Sequence, residues 1–482
     1  MKPDCIRQAA FRPSTPVGRL AVDGQAPGAL EAESLPLDGF ESLESFDASH
    51  LTADGRIRLI VSFDDPEAAR EARECCQERR GWRIGEELAV VNGFTAEVEP
   101  RKISKLLKTL PAGSRVALDR ALDYPDPRRL LPTKSKPGEV KPSLDVSTAL
   151  IGIQKVWDQG YQGQGQAIAI VDSGIYPHAD LKDKIVAWID MTEGKPQPTD
   201  NFGHGTHVAG VAAGTGALSA GAYKGIAPEA NLVGVRITSV AEAIKGIQWV
   251  IENKDKYHIG VLNMSLGDFA TRSYKDDPWA QAAQKAMEAG LVVVVAAGNE
   301  GPGASSVSTP GTHPDVITVG ALDDRRTLDR ADDQVADFSS RGPTSIDGLA
   351  KPDLLAPGVG IFGPLAPGAT LDVPELPHVG KDYFAISGTS MATPMVAGLA
   401  AILRQANPSL THQDIKQILV QTADKYLDAP PNAQGAGLVD AEEALKVALN
   451  WPAGQAAAPA SATAGAPAKR LGPDPEQGFL FA

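Results

Sequence analysis

Short continuous apolar runs alternate with helical patterns along residues 143–450. Unbroken apolar runs are typical of parallel strands buried on both faces, and their alternation with helices is typical of an α/β sheet. The runs predict strands at 167–171, 231–235, 261–264, 291–296 and 316–319. The spacing of apolar residues predicts helices at 205–213, 240–253, 278–289, 391–405, 411–422 and 441–450. The region is therefore predicted to be an α/β domain with a mostly parallel sheet.

A second, smaller pattern occupies residues 56–119. Its predicted elements are a strand at 56–63, a helix at 66–80, a strand pair within 88–98 that breaks at the Asn92-Gly93 turn, a helix at 100–110 and a strand at 115–118. This β-α-β-β-α-β order is that of a ferredoxin-like α+β fold. Such a module indicates no function by itself.

Three further segments lack these patterns. Residues 1–55 start basic and continue as an acidic run with scattered proline and glycine, which predicts an irregular N-terminal extension. Residues 120–142 alternate prolines with lysines and arginines, so we interpret them as a linker: dense proline excludes a helix, and exposed basic residues invite cleavage. Residues 451–482, rich in Ala, Pro, Gly and Ser, are predicted to be a flexible tail.

Composition narrows the possible partners and location. The 482 residues include 46 Lys and Arg against 60 Asp and Glu, and the net charge of −14 argues against nucleic acid or an anionic membrane as a partner. The longest strongly apolar run, 291–297, is far shorter than the about 20 residues that span a bilayer. The first thirty residues contain no apolar block of a secretory signal, which predicts a cytoplasmic protein, with leaderless release as the alternative. Cys5, Cys75 and Cys76 form neither a disulfide framework nor a metal site.

Two candidate chemical residues lie in the first half of the α/β region. Asp172 ends a predicted buried strand, and ligands bind at the carboxyl ends of strands in open α/β sheets. The alternative is a carboxylate that caps a turn. His204 stands just before a helix of small residues, where its imidazole can face a cleft, or it is simply a buried histidine at a helix start. His207 follows three residues later, but the segment lacks a His-Glu-x-x-His pattern, so no metal site is predicted.

The third candidate, Ser390, falls where a glycine-containing loop enters the helix predicted at 391–405. Backbone N–H groups of a first helical turn point at developing negative charge, although an N-cap serine is the plain alternative. Pro394 is tolerated there because it lies in that first turn. Taken together, Asp172, His204 and Ser390 supply an orienting carboxylate, a base and a nucleophile within one predicted domain.

The motifs that contain these residues resemble the subtilisin-like serine proteases, the subtilases of peptidase family S8. The sequences DSG (172–174), HGTHVAG (204–210) and GTSMATP (388–394) occur in the order of that family. VAAGNEG (295–301) resembles the segment that holds its oxyanion-hole asparagine, here Asn299. The resemblance covers roughly 145–445 and includes 263–267, 338–343, 351–357 and 437–440; the short spacing before 223–229 is most similar to the intracellular, AprX-type branch. It implies a three-layer α/β/α domain.

The resemblance also implies a mechanism and a role for each site residue. Ser390 would attack the scissile carbonyl, His204 would remove its proton and later deliver one to the leaving amine, and Asp172 would orient the imidazole. The backbone N–H of Ser390 and the side-chain amide of Asn299 would form the oxyanion hole. Extended substrate would pair with two main-chain segments, where glycine lets backbones approach. These segments are Ser265, Leu266 and Gly267, and Ala296, Ala297 and Gly298.

Family members commonly bind structural calcium, and no cofactor is expected for the chemistry. The loop that usually supplies one calcium site is here 215–224, and it contains no Asp, Asn or Glu. Asp180 lies near the matching position, so most oxygen ligands would have to be carbonyls. No metal ligand is therefore assigned.

The resemblance further implies that residues 56–119 are a propeptide, which assists folding and blocks the cleft as an intramolecular inhibitor. The chain is then expected to be a serine endopeptidase for polypeptide substrates, made as a zymogen that cleaves itself within 120–145. One alternative is a dedicated processing protease for a single partner, with 1–55 and 452–482 as docking arms. The other is a pseudoprotease that serves as a binding scaffold.

Overall fold

The computed structural model describes residues 51–77, 81–111, 113–122 and 144–452. The described residues form two compact units, one within 1–121 and one within 122–482. The predicted tail 451–482, the extension 1–55 and the linker 120–142 lie almost entirely outside the described residues. Among the described helices, none has the length and apolar character needed to cross a membrane.

The first unit contains an antiparallel sheet in the strand order β2-β3-β1-β4, which is the ferredoxin-like order expected from the sequence. Phe94 and Val98 on the central strand β3 are fully buried in its core. The elements are β1 Ile57–Ser62, α1 Pro66–Gln77, β2 Trp82–Leu88, β3 Gly93–Val98, α2 Ile103–Leu107 and β4 Arg115–Leu118.

The prediction of a strand pair within 88–98 is wrong for its first strand. Ala89–Val91 form a short 3-10 turn, and Asn92 takes a left-handed conformation with φ 48° that ends this turn. The strand that pairs with β3 lies earlier, at Trp82–Leu88. This strand is at the edge of the sheet and mostly exposed. It therefore lacks the alternation of apolar and polar residues by which a half-buried strand is recognised.

The second unit is built on a mostly parallel sheet in the order β6-β7-β5-β8-β9-β10, to which β12 adds in parallel and β11 antiparallel at β10. A small antiparallel sheet, β13-β15-β14, accompanies it. The strands of the second unit are β5 Ala167–Asp172, β6 Ile185–Asp190, β7 Asn231–Arg236, β8 Ile259–Met264, β9 Val292–Ala296, β10 Ile317–Asp323, β11 Gln334–Val335, β12 Leu354–Pro357, β13 Ile361–Pro364, β14 His378–Val379 and β15 Tyr383–Ile386.

Helices cover the sheet in two groups, which gives the three-layer α/β/α architecture. Helix α8 packs against α5 and strands β8, β9 and β10, whereas α6 and α7 pack against each other and against β5, β8 and β9. The helices are α3 Leu144–Leu150, α4 Ile153–Trp157, α5 His204–Ala213, α6 Val240–Tyr257, α7 Pro278–Glu288, α8 Thr389–Ala406, α9 His412–Thr422, α10 Pro431–Gln434 and α11 Ala441–Leu449.

The parallel order of the strands determines which residues lie together at one edge of the sheet. Strands β5, β8 and β9 are neighbours and run in the same direction, so their carboxyl ends meet at one edge of the sheet. Asp172 ends β5, Ser265 follows β8, and Ala296 ends β9. The sequence segments singled out by their motifs therefore lie along one edge.

Candidate active site

A buried hydrogen bond joins Asp172 to His204. The Nδ1–H of His204 donates to Oδ1 of Asp172 at 2.8 Å, and both side chains are at most 1% exposed. The N–H of Ser173 donates to the same oxygen at 2.7 Å. Because the carboxylate accepts from Nδ1–H, the neutral ring carries its proton there, and Nε2 can act as a base.

Glycines allow the helix that carries His204 to approach Asp172 this closely. His204 is the first residue of α5, whereas the sequence predicted the helix from 205, and Gly203 before it has a left-handed φ of 101°. A Cβ atom on Gly205 would stand 2.1 Å from the carbonyl oxygen of Gly174 and 3.1 Å from Oδ1 of Asp172. Only glycine fits at position 205 without moving the helix away.

Ser390 lies at the start of α8, which begins two residues earlier than the sequence predicted. Its Oγ donates to the backbone carbonyl of Ser265 at 2.9 Å, so the nucleophile candidate touches the segment that follows β8. Helix α8 packs against α5, the helix that begins at His204. The first N–H groups of a helix carry partial positive charge, which favours a developing anion beside Ser390.

Asn299 is oriented by Thr389. The N–H and the hydroxyl of Thr389 donate to Oδ1 of Asn299 at 3.0 and 3.1 Å, which turns the Nδ2 group to the other side. A Cβ atom on Gly388 would stand 3.3 Å from Nδ2 of Asn299 and 3.6 Å from the backbone nitrogen of Ser390. The two expected oxyanion donors therefore border one small space, which Gly388 leaves open.

The two segments expected to bind substrate are brought beside these groups. Ser265, Leu266 and Gly267 follow β8, and Ala296, Ala297 and Gly298 end and follow β9. A Cβ on Gly267 would stand 2.8 Å from Cβ of Ser308, and one on Gly298 would stand 2.5 Å from its Oγ, so both glycines permit close approach.

Two residues near the site were missed by the sequence reasoning. Asn263 donates through Nδ2 to the hydroxyl of Ser265 at 3.0 Å, and it belongs to a motif that was noted but given no role. Asp200 is buried four residues before His204 and accepts the N–H and hydroxyl of Thr206. The available signal was an acidic residue just ahead of a helix start.

A three-layer α/β/α domain with an Asp–His pair, a serine at a helix start and an asparagine at one sheet edge has the architecture of a subtilisin-like serine protease. The Subtilase family model matches residues 163–437, which is more than half of the chain. The chain is 39% identical over 420 residues to the serine protease AprX of Bacillus subtilis (strain 168), with 84% of this chain and 91% of that protein covered. The chain belongs to the subtilase family, and it is a serine endopeptidase.

A further sequence relative and one solved structure are also similar to this chain. Subtilisin Savinase of Lederbergia lenta is 34% identical over 295 residues, which cover 60% of this chain and 94% of that protein. The crystal structure of fervidolysin from Fervidobacterium pennivorans aligns with a TM-score of 0.61 at 23% identity and supports the fold alone. The alignment covers 85% of this chain and 63% of the fervidolysin chain.

The residues at the expected calcium position do not fit a metal site. Oδ2 of Asp180 accepts from the hydroxyl of Tyr383 at 2.7 Å, and Oδ1 accepts from the N–H of Leu218 at 3.2 Å. The carbonyl of Gly216 accepts from the loop's own N–H groups and a serine hydroxyl. The described residues also include no group of three or more His, Cys, Asp or Glu side chains that could hold an ion. At Asp180, both carboxylate oxygens accept hydrogen bonds from protein donors.

Proposed function

We propose that the chain hydrolyses peptide bonds through Ser390, His204 and Asp172. The observation that carries this proposal is the buried Asp172–His204 hydrogen bond of 2.8 Å, which leaves Nε2 of the imidazole as the base. His204 takes the proton from Ser390 Oγ as that oxygen attacks the scissile carbonyl, and it later gives a proton to the leaving amine. Asp172 orients the ring and stabilises the imidazolium that forms between these steps.

The oxyanion of the tetrahedral intermediate is proposed to lie beside Gly388. Nδ2 of Asn299 and the N–H of Ser390 border that space, and the hydrogen bonds from Thr389 hold the asparagine amide in this orientation. Donors fixed before reaction cost no reorganisation when charge develops. Substrate is proposed to lie extended along Ser265–Gly267 and Ala296–Gly298, with main-chain pairing as the main contribution to binding.

We further propose that the protein is a zymogen that processes itself within 120–145, with residues 56–119 as its propeptide. Leu122, the first residue of the second unit, supports this proposal. Its N–H donates to the carbonyl of Thr238 at 2.7 Å, two residues beyond the end of β7, and β7 ends at Arg236 beside Asp172 in the sheet register. Leu122 therefore lies near the carboxyl end of β7, the neighbour of the strand that carries Asp172.

Intact-mass spectrometry of purified wild type and Ser390→Ala tests both proposals. The expected result is a shortened wild-type protein whose new N-terminus lies within 120–145, beside a full-length Ser390→Ala variant. A full-length wild type that still cleaves peptides would contradict the self-processing proposal and leave the proposed triad intact. Equal processing of both proteins would contradict the assignment of Ser390.

A further inference from the structure

The Asp172–His204 pair is held by a second buried carboxylate. We propose that Asp200 is a positioning residue, which sets the geometry of this pair by hydrogen bonds to the segments on both sides of it. The inference rests on the proposed function of Asp172, His204 and Ser390, and it adds a residue that touches neither substrate nor the reacting atoms.

Both oxygens of Asp200 accept hydrogen bonds, and its side chain is buried. Oδ1 accepts from the hydroxyl of Ser173 at 2.9 Å and from the N–H groups of Phe202 and Gly203 at 3.1 and 2.8 Å. Oδ2 accepts from the N–H and the hydroxyl of Thr206 at 2.9 and 2.6 Å. These contacts fix the turn that leads into α5 and the first turn of that helix.

The same network reaches the other partner of the pair through Ser173. This residue directly follows Asp172, and its N–H donates to Asp172 Oδ1. Its hydroxyl donates to Asp200 and accepts from the N–H of Gly205 at 2.9 Å, and Gly205 directly follows His204. A shift of Asp200 would therefore move the end of β5 and the start of α5 relative to each other.

The chemistry of this position requires an ionised carboxylate. Five donors face the two oxygens of Asp200, and an amide would turn one acceptor into a donor that points at N–H or O–H groups. Burial raises the pKa of Asp200, and the hydrogen bonds from Thr206 and Gly203 oppose that rise.

The first test compares Asp200→Asn with a matched control. Asp414 is also buried at a helix start, where it accepts from the N–H and hydroxyl of Thr411 and from Nε1 of Trp451. With active sites counted by fluorophosphonate titration, Asp200→Asn is expected to lower kcat about 10- to 100-fold with KM within about twofold, because small displacements of a catalytic base cost this much. Asp414→Asn is expected to lower thermal stability while kcat stays within about twofold.

The second test is a double-mutant cycle with Asp172→Ala. If Asp200 acts through the Asp172–His204 pair, Asp200→Asn lowers kcat less than about threefold once Asp172 is alanine. The smaller change Ser173→Ala keeps the other four donors of Asp200 and is expected to lower kcat several-fold, also only when Asp172 is present.

Equal fold-losses in both backgrounds would overturn the positioning role, as would unchanged kcat in both Asp200→Asn and Ser173→Ala. Should Asp200→Asn fail to fold, Ser173→Ala with and without Asp172→Ala decides the question alone. If instead Asp172→Ala and Ser390→Ala keep wild-type turnover, the proposed triad fails, and this outcome is distinct from a failure of the Asp200 inference.

Discussion

Ser265 and Ser390 hold each other by two hydrogen bonds of opposite direction. Oγ of Ser390 donates to the carbonyl of Ser265 at 2.9 Å, and Oγ of Ser265 donates to the carbonyl of Ser390 at 2.9 Å. The structure places Pro394 inside α8 rather than in its first turn, where the sequence predicted it. In a regular helix the Ser390 carbonyl would accept from the N–H of residue 394, which a proline lacks. The hydroxyl of Ser265 therefore supplies a donor that the helix cannot provide.

We therefore expect Ser265→Ala to lower the stability of the fold, and we expect the size of this loss to depend on whether residue 394 is proline. Removing the hydroxyl leaves a buried carbonyl without this donor, at a cost of about 1–3 kcal/mol in the free energy of unfolding. In a Pro394→Ala background the helix regains a backbone N–H at position 394, so the cost of Ser265→Ala is expected to fall to less than about half. Urea unfolding of the four variants, all carrying Ser390→Ala to prevent self-digestion, measures this coupling. If Ser265→Ala lowers the free energy of unfolding equally with Pro394 and with Ala at position 394, the Ser265 hydroxyl does not replace the missing N–H of residue 394.

Gly388→Ala is expected to impair turnover more than folding. Its new Cβ would stand 3.3 Å from Nδ2 of Asn299, within the space proposed for the oxyanion, while the backbone of Gly388 is extended and accepts alanine. We expect kcat to fall at least about 10-fold, towards the 10²–10³-fold lost when subtilisin loses one oxyanion donor. Gly303→Ala is the matched control, because its Cβ would meet nothing within 4 Å. Equal kcat in the two variants would place the oxyanion elsewhere.

Tyr383→Phe tests the replacement of a cation by protein donors at Asp180. Loss of the hydroxyl removes a hydrogen bond from a buried carboxylate and is expected to cost about 1–3 kcal/mol in the free energy of unfolding. Because both oxygens of Asp180 accept hydrogen bonds from protein donors, millimolar calcium is not expected to recover that loss. Thermal unfolding in calcium and in EDTA, with wild type and Asp180→Asn compared, provides the measurement. A rise in Tm with calcium that disappears in Asp180→Asn would show that the ion binds there after all.

We expect the protein to lose stability in acid because of His412. It accepts the N–H of Val293 at Nδ1 and donates from Nε2 to the carbonyl of Asp315, so only the neutral ring satisfies both partners. Burial lowers the pKa of His412 to about 4 from the ordinary 6.5. The unfolded chain therefore binds the proton first as pH falls, and the stabilisation present above pH 6.5 is lost towards pH 4, by about 3 kcal/mol.

The measurement for His412 is the free energy of unfolding between pH 4 and 7 in the Ser390→Ala background. His412→Gln is the comparison, since its amide can still donate to Asp315 but does not titrate. Its stability is expected to fall less steeply with acid than that of the parent. Identical slopes would mean that His412 is not held neutral in the folded protein.

The strands of the second unit that could be predicted from the sequence are buried on both faces, and they can be recognised because they consist of continuous apolar runs. Every residue of β5 and β9 is buried, and both strands were found. Strand β6 at the sheet edge is mostly half-exposed and shows no such run, so it was missed. Asp200 was missed for a different reason: most of its donors are backbone N–H groups, which every residue except proline carries and no sequence pattern distinguishes.

The central claim is that Ser390 is the nucleophile and that His204 activates it. Peptide mapping after reaction with a fluorophosphonate tests this claim most directly in wild type, Ser390→Ala and His204→Ala. The account predicts one adduct, on the wild-type peptide that contains Ser390, none in Ser390→Ala, and labelling of His204→Ala slowed by about 10³-fold or more. An adduct on another residue, or labelling of Ser390→Ala at the wild-type rate, would contradict it.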